Sequence, residues 1–370
     1  MKQSKFLFVI TGLLLTIVLT GQSCLAGKTT TQSNATLGMF RSDDKGENWR
    51  EANALPTAKG VKSLNTLKVY RFFTDPSDPE AIYVTTRGQG VYYTYDRGDN
   101  WREIPDFAGK FIFSMAVDPK NKCVIYATDG VSIFKTTDCS RTWNIIFSEV
   151  RASIEIQSVA IDYGNSQVVY AAMTGGETLG GDILISSDAG KSWQNIKHIN
   201  MDVTLLVTDP LTPRRLYVIG RGSNAGLVRS DDGGITWKDL TLGLQKFPGN
   251  LDFYRLIMHS NKKDNLFWIS KYGILRSVDA GVTWTEYKLT VSPGSINIYS
   301  FAINPTNDNE LYFTGTDGAQ GEDGASRFYK SADGGKNWIT KKLPTTFPPV
   351  AMYIHPKEPN MLMLGFTSFK

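Results

Sequence analysis

The sequence predicts an all-β fold, a seven-bladed β-propeller of four-stranded antiparallel blades in which N- and C-terminal strands share one blade. Three observations predict it. A box of the form Ser/Thr-x-Asp-x-Gly-x-x-Trp recurs seven times along 370 residues. Short apolar runs separated by Gly- and Pro-containing turns fill the intervals between boxes, which is the pattern of antiparallel strands rather than helices. The repeat series also begins and stops in mid-unit, and the two fragments are complementary.

The boxes read SDDKGENW (42–49), TYDRGDNW (94–101), TTDCSRTW (136–143), SSDAGKSW (186–193), SDDGGITW (230–237), SVDAGVTW (277–284) and SADGGKNW (331–338). Their tryptophans, Trp49, Trp101, Trp143, Trp193, Trp237, Trp284 and Trp338, are 42 to 54 residues apart and make up seven of the eight in the chain. A repeat near that length points to one four-stranded blade.

One unit, YRFFTDPSDPEAIYVTTRGQGVYYTYDRGDNW (70–101), shows the order of elements. A first strand runs to Asp75-Pro76, where proline halts the ladder and turns the chain. AIYVTT forms a second strand, RGQG a turn, and VYYTY a third strand leading into the box. The N-terminal fragment GMFRSDDKGENW holds only a third strand and a box, and the C-terminal VAMYIHPKEPNMLMLGFTS holds only first and second strands. Six full units and this composite give seven blades, and closing the ring removes two unpaired sheet edges.

The box residues suit a clasp. An Asp carboxylate accepts backbone N–H groups just ahead of it and fixes a tight turn. Glycine supplies a positive φ without a Cβ penalty, and Trp covers the hairpin with a large apolar face whose indole N–H needs one partner. A calcium loop of the EF-hand kind needs ligands over twelve residues and a terminal Glu, which no box has. Seven copies around a ring do not all serve one central site. Asp44, Asp96, Asp138, Asp188, Asp232, Asp279 and Asp333 are therefore structural. The third box departs, with Ser140 at the glycine position and Cys139 beside it. If Asp129-Gly130 is a two-residue turn, Cys123 falls opposite about Thr136, near Cys139. A disulfide and two unrelated buried thiols are both open readings.

The boxes resemble the Asp-box (BNR) repeats of sialidases, sortilin-type receptors, xyloglucanase-type glycosidases and photosystem II assembly-factor propellers. The resemblance covers Gly38 to Lys370. It implies that each box joins the third and fourth strands, and it spans both enzymes and binding modules. Sialidases carry an Arg-Ile-Pro segment, an arginine triad and a Tyr/Glu pair, whereas this chain has no Arg-Ile-Pro. Xyloglucanase-type enzymes set two propellers around a cleft, whereas one is present here.

Composition narrows the class further. With 40 Lys+Arg against 36 Asp+Glu, a net charge of +4 and no basic block, nucleic-acid binding is not expected. MKQSK followed by the apolar FLFVITGLLLTIVLT (6–20) reads as an export signal over residues 1–23, too short for a bilayer span. TGQSC resembles a relaxed bacterial lipobox, which makes Cys24 the lipidated residue. Cleavage after Ala26, giving a secreted protein, is the alternative. Residues 24–37 read as a flexible tether and 38–370 as the propeller. The expectation is a monomeric, membrane-anchored lipoprotein of a bacterial cell envelope.

Binding residues of a propeller gather at the channel mouth, on loops entering first strands and joining strands two and three. The long loops of this kind are 174–181, 220–226 and 315–327. Glu177 and Glu322 lie on two of them, while Glu155, Asp202 and Asp252 precede inner strands. These five acids are the candidates for a glycoside hydrolase, which needs two carboxylates flanking the scissile bond. Arg71 and Arg255 hold equivalent positions, four residues ahead of Asp75 and His259, and suit an anion. Pairing with neighbouring acids, or plain solvation, is the commoner fate of such arginines. His259 and His355 stand where other units have a turn Asp. No zinc set, Ser/His/Asp triad or phosphate loop is present, so no metal or cofactor is expected. The leading reading is a protein- or glycan-binding or assembly module of the envelope; the other is a glycosidase acting on an extracellular polysaccharide.

Overall fold

A computed structural model describes residues 36–175, 180–289, 291–317 and 325–369. Seven four-stranded antiparallel sheets form the blades of a propeller. Blade 1 is the composite: Pro349–Ile354 is innermost, followed by Leu362–Phe366, Gly38–Ser42 and Arg50–Glu51. Its seam pairs Gly38 with Phe366 and Ser42 with Leu362, in unbroken antiparallel register. Blades 2 to 7 follow in chain order, with inner strands Val69–Thr74, Ser114–Asp118, Glu155–Ile161, Asp202–Thr208, Phe253–Met258 and Ile296–Ile303.

The apolar alternation along each strand fills seven separate clusters, one at each junction between adjacent blades. Met39 and Met363 of blade 1 meet Val69, Ile82 and Trp101 of blade 2, and Tyr312 and Phe328 of blade 7 meet Phe40, Leu364 and Phe366 of blade 1. The seam therefore has both blade faces covered, like every other junction, and each large side chain buried there contributes about 1.5–3 kcal/mol. Leu37, at the end of the expected tether, is already buried in this last cluster. A short exposed hairpin, Ala54–Thr57 with Gly60–Ser63, interrupts the passage from blade 1 to blade 2; its polar, aperiodic sequence gave no strand signal.

All seven boxes join third and fourth strands. In the first, Ser42 Oγ donates to Asp44 Oδ1 at 2.7 Å and accepts the Gly46 N–H at 2.8 Å. Asn48 then donates its backbone N–H to one Asp44 oxygen at 2.8 Å and its side-chain amide to the other at 2.7 Å. Asn100, Thr142, Ser192, Thr236, Thr283 and Asn337 make the same double contact in the other boxes. The residue before each Trp is thus part of the clasp, a role the spacing alone had left unassigned. The residue before each box glycine is also left-handed, with Lys45 at φ 62° and Ala189 at 61°.

The box glycine meets a second demand from the neighbouring blade. A Cβ on Gly46 would lie 2.5 Å from the Phe328 ring. The tryptophans cover the hairpins as expected, but not all with a partnered indole. Trp101 donates to Ala52 O at 2.7 Å and Trp237 to Gly234 O at 2.9 Å, whereas the indole nitrogens of Trp49, Trp143 and Trp193 are buried without a hydrogen-bond partner.

In blade 3 the register differs from the two-residue turn expected. Asp129 Oδ1 accepts the N–H groups of Val131 at 3.1 Å and Ser132 at 2.9 Å, so the turn takes four residues and Thr128 pairs with Ile133. Ile125, not Cys123, therefore faces Thr136. Cys123 lies in the irregular stretch between Asn121 and Ile125, and its carbonyl accepts the Cys139 N–H at 3.3 Å. The two cysteines are joined in a disulfide, with Cα atoms 3.8 Å apart.

Candidate functional site at the channel mouth

In six of the seven blades the inner strand carries a one-residue bulge at its entry. A bulge sets two residues against one and re-aims their side chains. The bulged residues are Tyr70, Gln157, Thr204, Tyr254, Tyr299 and Val350, and Arg71 and Arg255 follow directly after two of them. The bulged positions are consequently two-sided: aromatic, with an arginine next to two of them, over blades 6, 7 and 2, and polar over blades 4 and 5, with Val350 in blade 1.

On the basic side the guanidinium groups rest on rings. The Arg71 guanidinium lies 4.9 Å from the centre of the Tyr70 ring. Arg87, in the turn after the second strand of blade 2, lies 5.8 Å from the same ring and 5.2 Å from Phe369. Phe369 in turn packs on Tyr299 at 5.9 Å. Arg255 Nη2 donates to Val350 O at 2.8 Å, tying it to the inner strand of blade 1. Arg221 Nη2 donates to Phe253 O at 2.6 Å.

None of Arg71, Arg87, Arg221 and Arg255 forms an ion pair with a described residue within 4.0 Å. The buried Nε of Arg71 has no hydrogen-bond partner. Of the two commoner fates, pairing with an acid does not occur at Arg71 or Arg255 among the described residues. Burial first, and then the Arg71 charge, pull the Arg255 guanidinium downward from its ordinary pKa, with Arg221 and Arg87 adding to the effect.

The acids named from sequence separate. Glu155 and Asp202 line one cleft of about 440 Å³, together with Thr174 and Arg221. Glu155 accepts the Gln157 amide at 2.9 Å, and Asp202 accepts the Thr174 hydroxyl. Asp252 lines the adjacent cleft of about 390 Å³ with Arg221, Tyr254 and Lys271, and its carboxylate is 3.8 Å from Lys271 Nζ. Glu177, Glu322 and Cys24 lie outside the described residues. Asp182 is engaged with His198 at 2.8 Å. Among the described residues no group of three or more His, Cys, Asp or Glu is arranged to hold a metal ion. His259 and His355 serve as turn acceptors: His259 Nδ1 takes the Asn261 N–H at 3.0 Å and His355 Nδ1 the Glu358 N–H at 2.9 Å.

Arg87 and Arg221 escaped the sequence reading, although a signal existed. Both are the Arg of an Arg-Gly pair closing a second strand, with Gly88 at φ 80° and Gly222 at 84°. Aligning blades 2 and 5 on that turn brings the two arginines into register.

Fold and mouth together define a single β-propeller with a two-sided polar entrance. A family model described as the DUF6242 beta propeller domain matches residues 109–364, and the chain belongs to that family. A Sortilin-Vps10 model matches residues 38–152. A xyloglucanase of Paenibacillus sp is 28% identical over 236 residues, covering 54% of this chain and 23% of that enzyme. Xyloglucanase Xgh74A of Acetivibrio thermocellus is 28% identical over 245 residues, covering 55% and 28%. The chain thus spans about a quarter of the length of these relatives. Among solved structures, the GH74 xyloglucanase from Xanthomonas campestris superposes with a TM-score of 0.60 at 16% identity, over 81% of this chain and 51% of that one. YCF48 from Cyanidioschyzon merolae superposes at 0.57 and 13% identity, over 81% and 96%, and YCF48 bound to D1 peptide at 0.54 and 17%, over 82% and 94%. At these identities the likeness is one of fold.

Proposed function

We propose that this chain is a binding or assembly module of a bacterial cell envelope, exported and held at the membrane through lipid on Cys24, which presents its channel mouth to a protein or glycan partner. The observation that carries this reading is the mouth itself. Arg71 and Arg255 stand at the entries of two inner strands with no carboxylate partner among the described residues, directly after the bulged Tyr70 and Tyr254, and Tyr299 is bulged likewise in blade 7. Half-buried arginine and tyrosine, adjoining polar clefts, are residue types that recognition surfaces favour. A propeller of similar fold, YCF48, has been solved bound to a peptide. The test is affinity capture from solubilised envelope of the source cell, with the propeller as bait and a mouth variant as control. A partner retained by the wild type and lost by the variant supports the reading. Empty capture, alongside turnover of an oligosaccharide panel, overturns it.

One observation favours a second reading, a glycoside hydrolase: Glu155 and Asp202 share the 440 Å³ cleft. Two carboxylates around one glycosidic bond are the minimum such chemistry needs. Under this reading wild-type protein cleaves a polysaccharide, and Glu155→Gln and Asp202→Asn each lower the rate by several orders of magnitude without unfolding the protein. Equal rates in wild type and both variants remove it.

A further inference from the structure

We propose that the channel mouth contains a binding site for a single oxyanion, a carboxylate or a phosphate group, held between the guanidinium groups of Arg71 and Arg255 with Arg87 at its rim. The site rests on the reading of the chain as a binding module and specifies what the mouth recognises.

Charge balance is the first argument. Elsewhere in the described structure, half-buried or buried arginines are neutralised within the fold. Arg215 meets Asp209, Asp231 and Asp264, Arg229 meets Asp231 at 2.9 Å, and Arg97 sits between Glu80 and Glu358. Among the described residues Arg71 and Arg255 break that pattern, and one aromatic run joins them: Arg71 and Arg87 rest on Tyr70, Arg87 also on Phe369, Phe369 on Tyr299, and Arg255 Nε donates to Tyr299 O at 3.5 Å. Two half-buried cations gathered at one entrance repel, and an anion bound between them turns the repulsion into two attractions.

Hydrogen-bonding capacity is the second. A guanidinium has five N–H donors in a fixed fork. Arg255 places donors on the carbonyls of Val350 and Tyr299, at 2.8 and 3.5 Å, whereas the buried Nε of Arg71 has no partner among the described residues. Paired, forked donors match the oxygens of a carboxylate or phosphate.

Preorganisation is the third. Tyr70 sits beside both Arg71 and Arg87, and Phe369 beside Arg87. Stacking of this kind fixes long side chains that otherwise lose rotamer freedom on binding. The rings are already engaged by the arginines, so they act as props for the cations. Of the described acids of the mouth, Glu155 and Asp202 belong to the cleft over blades 4 and 5 and Asp252 lies 3.8 Å from Lys271 Nζ, so none of them neutralises Arg71 or Arg255.

The test is calorimetric titration of the intact propeller with inorganic phosphate, glucuronate and N-acetylglutamate, ionic strength being held with chloride. Saturable one-to-one binding of phosphate alone identifies a phosphate site, and binding of either carboxylate identifies a carboxylate site. Arg71→Gln, which removes a side chain without a hydrogen bond to any described residue, weakens binding by about tenfold or more, as loss of a charge-assisted pair does. Arg87→Gln, at an exposed position, weakens it by about two- to threefold. Arg255→Gln has the same effect as Arg71→Gln if it folds, which the thermal midpoint reports. Absence of saturable binding by all three probes, or unchanged affinity in Arg71→Gln, overturns the site. The two proposals fail separately: absence of saturable binding by all three probes, alongside an envelope partner captured by the wild type and lost by another mouth variant, removes the oxyanion site and leaves the binding module standing.

Discussion

Phe40 and Phe366 stand edge to face, ring centroids 5.4 Å apart at 83°, although they come from the first and last strands of the propeller. Their contact lies in the blade whose outer two strands are N-terminal and whose inner two are C-terminal. Ring closure therefore depends on both ends of the chain at once. Phe366 is fully buried, so Phe366→Ala is expected to cost about 3–5 kcal/mol. Removing residues 349–370 leaves Gly38–Ser42 as an unpaired edge and abolishes the cooperative transition. Urea denaturation followed by tryptophan fluorescence measures both; a truncated chain with an unchanged midpoint contradicts the shared blade.

The box positions predict opposite signs for opposite exchanges. Gly46 has φ 82°, and any Cβ there meets Phe328, so Gly46→Ser destabilises by about 2–3 kcal/mol through backbone strain and overpacking. Ser140 holds the equivalent place in the third box at φ 65°, with an Oγ that lacks a partner. Ser140→Gly is expected to stabilise by about 1 kcal/mol, since a left-handed residue with a Cβ carries that cost. Thermal melts of the two variants decide the matter, and destabilisation by Ser140→Gly contradicts the strain argument.

Acid behaviour follows from the clasps. Asp44 is lowered to about 2 from its ordinary 3.8, by the Asn48 backbone N–H first and the Asn48 amide second. Asn337 does the same for Asp333, also to about 2, in the same order. At Asp138, also about 2, the Thr142 hydroxyl leads and its backbone N–H follows. A carboxylate whose native pKa is depressed adds stability above its unfolded pKa and loses it as the pH falls through the native one. Stability should thus decline between about pH 4 and pH 2. Solvent screening keeps each exposed clasp's share small. Asp333→Asn is expected to be less stable than wild type at pH 6 and to approach it at pH 2; a constant gap across that range counts against the clasp as the cause.

The disulfide closes a loop of sequence separation 16, for which chain entropy gives about 3 kcal/mol. Oxidised propeller lacking residues 1–35 should show no free thiol, and reduction or Cys139→Ser should lower the denaturation midpoint accordingly. Two titratable thiols in the unreduced protein refute the bond.

Much of the architecture was readable because it rests on local chemistry repeated seven times. Asp and Gly at fixed offsets, Trp at the end of each box and a break at both termini required no knowledge of distant contacts. The Ala54–Thr57 hairpin was missed because exposed strands of mixed polarity carry no period-two signal. In blade 3 the reading slipped by two residues, since the Asp129 side chain widens a turn that Gly130 alone seemed to close.

The sequence by itself determined the number of blades, the clasp at each outer hairpin and the sharing of one blade between the termini, because hydrophobic period, turn residues and box spacing act over a few residues each. Only the tertiary structure decided the character of the mouth. Arg71 and Arg255 are far apart in the chain, and whether each meets an acid, water or the other depends on bulges and on the order of blades around the ring. Glu155 and Asp202 were likewise two acids among five until adjacent inner strands set them in one cleft. Charge pairing across blades is a distance between separate strands, and no spacing along the chain encodes it.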